Sequence, residues 1–389
     1  MMNEKLLEQI IEGERIENKI TELSAKLAEF IEVKNLSDYQ FKLVLEDPIL
    51  KNIAHNVLAS LGIKYTDINN EELVIDLKKS ERVIVISESK FLNAIDNILW
   101  SWDALNGYIL LDDYVAENHQ KEKDFKDVWN LVAQHTTQAI NDYGWSSSYT
   151  GEKLPLEEMN QFIENFMIKS KPYITKDSRV LEIGCGHGIV YSNIAPLVDY
   201  YLATDLSDVI IEKNRKLARL KGLDNIEFEA MPASSIDKVK EADFDLIICS
   251  SVINFFPETL YLEYVIRSAI NLLKDEGIIY LDDMLSLEKK PEFIESLKRH
   301  KKRHPNDPVK VNREGDLFIC KAFFELLQHK CPDIVECEIT EKLGEIKNEV
   351  TKYRFDVILK VNKNRRNNDT GEKVLKKNRW TLMDIEHIK

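Results

Sequence analysis

The stretch Val180-Leu181-Glu182-Ile183-Gly184-Cys185-Gly186-His187-Gly188 offers the most specific chemistry in the chain. An apolar run enters three glycines at alternate positions and leaves into a helical segment. Glycines let the backbone turn sharply and let a ligand lie against it with no Cβ in the way. The pattern E-x-G-x-G-x-G differs from the G-x-G-x-x-G loop that receives a pyrophosphate at a helix N-terminus. Glu182 would repel a pyrophosphate and suits a ligand with a cationic amino-acid end. Asp205 closes the run Tyr200–Asp205 and is placed to accept hydrogen bonds from both ribose hydroxyls of an adenosine. Its structural alternative is a helix cap, a role that Ser207 can take instead. Ala233 follows a third run, where an adenine would lie against the backbone, with plain loop packing as the alternative.

The elements that must position these residues alternate. Short β-branched runs at 179–184, 200–205, 226–230, 244–251 and 277–283 are separated by amphipathic segments, including helices from Ser207 to about Lys221 and from Leu260 to Leu273. Such alternation implies βαβ units and a mostly parallel sheet covered on both faces. Two later runs, 333–339 and 353–361, suit an antiparallel hairpin at the sheet edge. The expected architecture is α/β, a Rossmann-like sheet with an antiparallel last strand. It spans 141–361, with a helical, charged insertion at about 287–330. Residues 1–140 read as a mainly helical N-terminal region. Helix-like stretches lie near Asp47–Leu61, Phe91–Leu105 and Phe125–Ile140, and Leu73–Ser87 is a candidate small hairpin. Ile16, Ile20, Leu23 and Leu27 form an apolar helix face that packs in its own domain or seeks a partner. Residues 362–389 read as a polar, basic tail or linker.

A cationic amino-acid end joined to adenosine describes S-adenosylmethionine, and the glycine loop with Asp205 resembles class I S-adenosylmethionine-dependent methyltransferases over about residues 145–361. The resemblance narrows. Gly144-Trp145-Ser146-Ser147-Ser148-Tyr149-Thr150-Gly151-Glu152, continuing to Pro155 and Glu157-Glu158-Met159, is similar to the motif that opens the methyltransferase domains of nonribosomal peptide synthetases and polyketide synthases. Ile194-Ala195-Pro196, Ser251-Val252-Ile253-Asn254-Phe255-Phe256-Pro257 and Asn348-Glu349-Val350 with Lys352-Tyr353-Arg354-Phe355-Asp356-Val357 agree in the same order. The chain departs from that family at His187, usually Thr or Ser, and at Asn254-Phe255, usually Gln-Tyr. Both positions line the cofactor loop and substrate mouth.

The resemblance implies a cofactor set of Tyr149, Glu182, Gly184, Gly186, Gly188, Asp205, Ala233 and Ser250. It implies an acceptor mouth at Asn254, Phe255 and Phe256, whose alternative is core packing. It places the Asn348-Glu349 pair on the acceptor side, where Glu349 is the first candidate base and Asp283, at the end of the fifth run, the second. Either carboxylate could instead be structural. No His occurs from Ser250 to Pro257, where carbon-methylating relatives carry one, so oxygen or nitrogen is the expected acceptor atom. The long preceding helical region resembles the lid of polyketide synthase O-methyltransferases. Methylation of a hydroxyl on an intermediate tethered to a phosphopantetheine-bearing acyl or peptidyl carrier protein is therefore the leading expectation, with an aminoacyl or peptidyl amine second. A nicotinamide-dependent oxidoreductase and a non-catalytic S-adenosylmethionine-binding docking module are the alternatives from other classes.

Composition bounds the rest. The 389 residues are 44% hydrophobic and 31% charged, as in ordinary globular domains. With 53 basic against 67 acidic side chains, the charge of −14 argues against a general nucleic-acid partner. No apolar run reaches the roughly 18–20 residues of a membrane-spanning helix, and the start is no signal peptide. Five cysteines without metal-ligand spacing suit a reducing cytoplasm. The run Lys298-Arg299-His300-Lys301-Lys302-Arg303-His304 is a solvated helix face or a docking patch for something acidic. Its two histidines are too few, and too cationic in their surroundings, for a metal site. The oligomeric state is open.

Overall fold

The computed structural model describes residues 2–68, 82–101, 105–112, 114–135, 145–313, 315–364, 378–381 and 385. It divides into two compact units, Met1–Gln120 with Lys376–Lys389, and Lys121–Leu375.

In the first unit, helices α1 (Met2–Val33), α2 (Pro48–Ser60) and α3 (Leu92–Ser101) accompany strands β1 (Gln40–Val44), β2 (Tyr65–Asp67), β3 (Val83–Ser87) and β4 (Leu105–Leu110). Helix α2 starts where expected: Asp47 caps it, accepting from the Ile49 and Leu50 N–H groups, and Pro48 opens its first turn. Leu23 and Leu27 of α1 are buried against Leu58, Ile84 and Ile86, whereas Ile16 is exposed, so that apolar face packs within its own unit.

Three features differ from the expectation. Beside its helices the region holds a parallel sheet, in the order Asn378–Trp380, β4, β3, β1, β2. β3 is no hairpin arm: it pairs in parallel with β1 and β4, and all five of its residues are buried, the mark of a central parallel strand. The other expected arm, at 74–77, lies outside the described residues. The basic stretch at the chain's end also contributes here. Asn378–Trp380 pairs in parallel with β4, and Ile385 is buried in the core of this unit. A three-residue edge strand needs little apolar sequence, so composition conceals it.

The second unit holds the site. Its strands are β5 (Arg179–Ile183), β6 (Tyr200–Asp205), β7 (Ile226–Ala230), β8 (Phe244–Ser250), β9 (Leu273–Ser286), β10 (Phe318–Ile319), β11 (Ile334–Glu341) and β12 (Arg354–Asn362). Among the described residues they form one sheet in the order β11-β12-β9-β8-β5-β6-β7, with β10 paired to β9. All neighbours are parallel except β12, which is antiparallel to both β9 and β11. The expected hairpin of β11 and β12 is present, with β12 inside the sheet rather than at its edge. Chain order runs one way from β5 to β6 and β7 and the other way to β8 and β9. The crevice between β5 and β8 is thus the topological switch point where open α/β sheets bind ligands.

Helix α4 (Tyr114–His135) runs from the first unit into the second, where α5 (Leu156–Ser170), α6 (Tyr191–Ile194), α7 (Asp208–Leu220) and α8 (Thr259–Leu272) follow. The insertion contains α9 (Lys290–Arg303) and α10 (Lys321–Lys330), and α11 (Glu349–Tyr353) leads into β12. Val180, Tyr201, Leu246, Ile248 and Tyr280 pack against Tyr191 and Ile194 and hold the strand ends in register. Among the described residues, no helix is long and apolar enough to cross a membrane.

Candidate active site

The glycine loop leaves β5 at the switch point. Gly184, Gly186 and Gly188 have φ of +76°, +48° and +86°, a region that costs most side chains strain. Gly184 and Cys185 donate to the Thr204 carbonyl at 2.9 and 2.8 Å, which ties the loop to β6. The glycines serve different ends. A Cβ at Gly184 would lie 2.7 Å from Cγ2 of Val252, and one at Gly188 would enter the Tyr191 ring, so both glycines allow close packing. A Cβ at Gly186 would meet no atom within 4 Å: this glycine faces open space above the strand ends.

Asp205 braces the same loop. Its Oδ2 accepts from the Gly186 N–H at 2.9 Å and its Oδ1 from the Ser207 N–H at 2.9 Å. Ser207 takes the α7 cap, accepting from Ile210 N–H as expected, yet Asp205 is engaged by backbone donors rather than free. With the Leu206 N–H also acting on it, the carboxylate keeps lone-pair capacity for a ligand hydroxyl. Burial raises the pKa of Asp205 against the pull of these N–H groups. Asn214 of α7, which the motifs gave no reason to notice, donates to the Gly186 carbonyl at 2.7 Å and accepts from the Tyr191 hydroxyl.

Glu182 departs from its expected role. It is 1% exposed and accepts from the Tyr201 hydroxyl at 2.7 Å beneath the loop, so its carboxyl supports the turn and makes no contact with the loop's open side. Burial pushes its pKa up to about 8, which keeps it neutral at pH 7. Ser250 is also buried and donates to Asp282 at 2.6 Å. Open space at Gly186, flanked by the lone pairs of Asp205, fits a nucleoside ligand. Glu182 is too deep to be its ion-pair partner. Ala233 lies half-buried at the start of the 3-10 turn Ala233–Lys238 after β7. Beside it, the Ser234 hydroxyl donates to Glu122 of α4, which also accepts from Tyr261 at 2.9 Å.

On the other side of the switch point lies a cluster of charges. The pairing of β12 with β9 slips between Phe355 and Val357, and Asp283 has φ +69°. This break in the alternation of faces brings Asp282 and Asp283 to one cation: Lys342 Nζ lies 2.6 Å from Asp282, 3.6 Å from Asp283 and 2.7 Å from Asp356. Lys169 reaches Asp356 at 2.6 Å, and Arg354 pairs with Asp283. All three aspartates are fully buried. Burial opposes ionisation of Asp356, but Lys342 and Lys169 outweigh it and hold the carboxyl below its ordinary range. For Asp282 burial prevails over Lys342, and the pKa rises to about 7. Asp283 also accepts from the Ser251 hydroxyl at 2.8 Å through Oδ2, while its Oδ1 has no hydrogen-bond partner among the described residues and lies 3.6 Å from Lys342.

Glu349, the first residue of α11, is different. It is 6% exposed; Oε1 accepts from the Ser148 N–H at 2.8 Å, while Oε2 has no hydrogen-bond partner among the described residues. Asn348 is the cap of α11, accepting from Thr351 N–H at 3.0 Å in a reciprocal capping box and donating to Glu158 at 2.6 Å. These contacts fix Asn348 at the start of α11 beside Glu349. The Tyr149 ring packs on Phe293 and His300, and its hydroxyl meets Ser296 at 2.7 Å, so it joins the turn Ser147–Gly151 to α9. Burial is the chief cause that pushes its pKa up to about 12.

Asn254 is a bracket: it donates to the Asp283 carbonyl and accepts from Leu285 N–H, both at 2.9 Å, and so fixes the break in β9. Phe256 is buried against Tyr261, the core-packing alternative. Phe255 is 40% exposed and meets Trp129 of α4 edge-on at 4.9 Å, an aromatic rim at the strand ends. The structure therefore gathers Gly184, Gly186, Gly188 and Asp205 in one group and Asp283 and Glu349 in another. Lys342, Lys169 and Asn214 went unnoticed in the sequence. The doublet Asp282-Asp283 at a strand end was the available sign that a buried cation must lie nearby.

Residues 174–353 match the family model described as a methyltransferase domain. Chondramide synthase cmdD of Chondromyces crocatus is 36% identical over 235 residues, covering 57% of this chain and 6% of that protein. The enniatin synthase of Fusarium equiseti is 26% identical over 289 residues, covering 70% of this chain and 9% of its own length. The chain thus spans less than a tenth of these two relatives. Among solved structures, the magnesium protoporphyrin IX methyltransferase of Synechocystis PCC 6803 is similar at 13% identity, covering 62% of this chain and 99% of that one, with a TM-score of 0.40. At that level the likeness says nothing of activity. With the matched segment enclosing the glycine loop, Asp205 and Glu349, the chain carries a class I, S-adenosylmethionine-dependent methyltransferase domain, related to segments of large peptide synthetases.

Proposed function

We propose that this domain methylates the amine of an aminoacyl or peptidyl thioester tethered to a carrier protein. The observation that carries this reading is the pairing of open space at Gly186, beside Asp205, with a buried carboxylate, Glu349, whose Oε2 has no hydrogen-bond partner among the described residues. S-adenosylmethionine, held between Gly186 and Asp205, would supply an electrophilic methyl group at the switch point. Catalysis of such a displacement consists mainly of orientation and exclusion of water. Phe255 and Trp129 supply an apolar rim. Glu349 takes the acceptor's proton: Ser148 pins one oxygen, so the other keeps a fixed direction.

The peptide synthetases among the relatives support an amine ahead of the hydroxyl that led the sequence expectation. A hydroxyl acceptor is the second reading, favoured by the presence of a buried base, which an alcohol needs more than an amine does. Incubation with S-adenosylmethionine and matched aminoacyl and hydroxyacyl pantetheine thioesters, followed by tandem mass spectrometry, tests both. Methyl on the aminoacyl nitrogen is expected. Methyl only on the hydroxyl would select the second reading, and no transfer to either would overturn both.

A further inference from the structure

Helix α9 has two unlike faces. Inward, Phe293 and Leu297 are buried, and Phe293 stacks on Tyr353 of α11 at 4.7 Å. Ser296 and His300 meet Tyr149. The inner face thus rests on the helix that carries Glu349 and on the turn that pins it. Outward, Lys298, Arg299, Lys302 and Arg303 occupy two adjacent rows of the helix, and all four are exposed. None of them forms an ion pair among the described residues, whereas nearby Lys289 and Lys321 both pair with Glu341.

Self-stabilisation explains only part of this. Basic groups favour a helix C-terminus, but the effect is confined to the last turn, and Lys298 and Arg299 lie before it. The neighbouring His300 and Lys301 are engaged with Asp307, so the unpaired charges are those that face solvent. In a chain of net charge −14, four adjacent cations left unmatched form a patch of the opposite sign.

The geometry points to the outer face of α9 as the docking surface for an acidic carrier protein that delivers the methyl acceptor toward Glu349. This rests on the tethered-acceptor reading above and adds the surface that recognises the tether's owner. Charge complementarity selects the occupant: an acidic protein bearing a phosphorylated arm gains from each of the four cations, and the gain is salt-dependent.

The test compares one aminoacyl group presented on an acidic acyl carrier protein and on free pantetheine. In the variant Lys298→Glu/Arg299→Glu/Lys302→Glu/Arg303→Glu, KM for the carrier-borne substrate should rise about tenfold or more at low salt, with most of its salt dependence lost. KM for the pantetheine thioester and affinity for S-adenosylhomocysteine should stay unchanged, which certifies the fold. Lys302→Gln/Arg303→Gln should fall between. An equal effect on both substrates, or none on the carrier-borne one, would overturn the proposal. So would a single-stranded oligonucleotide that binds the wild type more tightly than the carrier does and loses affinity in the variant. If the wild type methylates neither substrate, the functional reading fails, and calorimetry of carrier binding alone still decides the docking surface.

Discussion

Over β5 and β6, Glu182 and Asp205 are held by a phenol and backbone N–H groups, while over β8, β9 and β12 three aspartates share Lys169, Lys342 and Arg354. Burial dominates the first side and raises both carboxyls there; on the second side, cations hold Asp356 down in spite of burial. The first arrangement is held by hydrogen bonds alone, with Glu182 beneath the loop and Asp205 beside the open space at Gly186. In the second, three aspartates share three cations, while Glu349 Oε2 and Asp283 Oδ1 have no hydrogen-bond partner among the described residues, and Asp283 Oδ1 lies 3.6 Å from Lys342. The two candidate bases, Asp283 in β9 and Glu349 at the start of α11, differ in their partners: Asp283 meets Arg354, Ser251 and Lys342, and Glu349 meets the Ser148 N–H.

The contrast can be broken at its cations. Lys342→Met should strand Asp282 and Asp356 in the interior and cost about 3–5 kcal/mol, read by urea unfolding of the whole chain. Adding Asp282→Asn and Asp356→Asn should recover part of that loss. A cost below about 1 kcal/mol would mean that the cluster is not matched as described.

Next in size is the assignment of the base. Glu349→Gln keeps an acceptor for Ser148 but cannot take a proton, so kcat should fall about a hundredfold while S-adenosylhomocysteine affinity stays unchanged. Asp283→Asn should lower stability before it lowers kcat. The reverse pattern would exchange the two roles.

The pH dependence of stability sharpens the first side. Glu182 titrates at about 8 in the fold against an ordinary 4.5, so the native chain keeps a proton that the unfolded chain releases. Its contribution is complete below about pH 4.5 and is lost as pH rises through about 8. Asp282, at about 7, acts in the same direction. Thermal scans should show the wild type losing several degrees of Tm between pH 5 and 8, with Glu182→Gln making that decline shallower. An unchanged slope would place the carboxyl in a wetter setting than its burial implies. The smallest effect belongs to the aromatic rim: Phe255→Ala should change acceptor KM a few-fold and leave Tm nearly unaltered, since the ring is 40% exposed.

Sequence pattern disclosed the parallel sheet of the second unit because β-branched runs and amphipathic helices alternate there with ordinary spacing. It disclosed the glycine loop, since each of Gly184, Gly186 and Gly188 takes a positive φ. The sheet of the first unit was less legible: β2 and Asn378–Trp380 are three residues each, too short to show a period. Roles were harder to read than places. Asp205, Asp283 and Asn348 are where their motifs put them, but what each does depends on donors and cations distant in sequence, such as Lys342, which lies 60 residues from Asp282. Likewise, nothing local distinguishes a carboxylate under a glycine loop from one facing its ligand; the Tyr201 hydroxyl does.

The central claim is that the opening at Gly186, bounded by Asp205, seats the methyl donor. Calorimetric titration with S-adenosylhomocysteine tests it most directly in the wild type, Gly186→Val and Asp205→Ala. Binding should be measurable in the wild type and weakened at least about a hundredfold in both variants, since one fills the opening and the other removes an acceptor and releases the loop. Full affinity in either variant, with a normal unfolding transition, would contradict it.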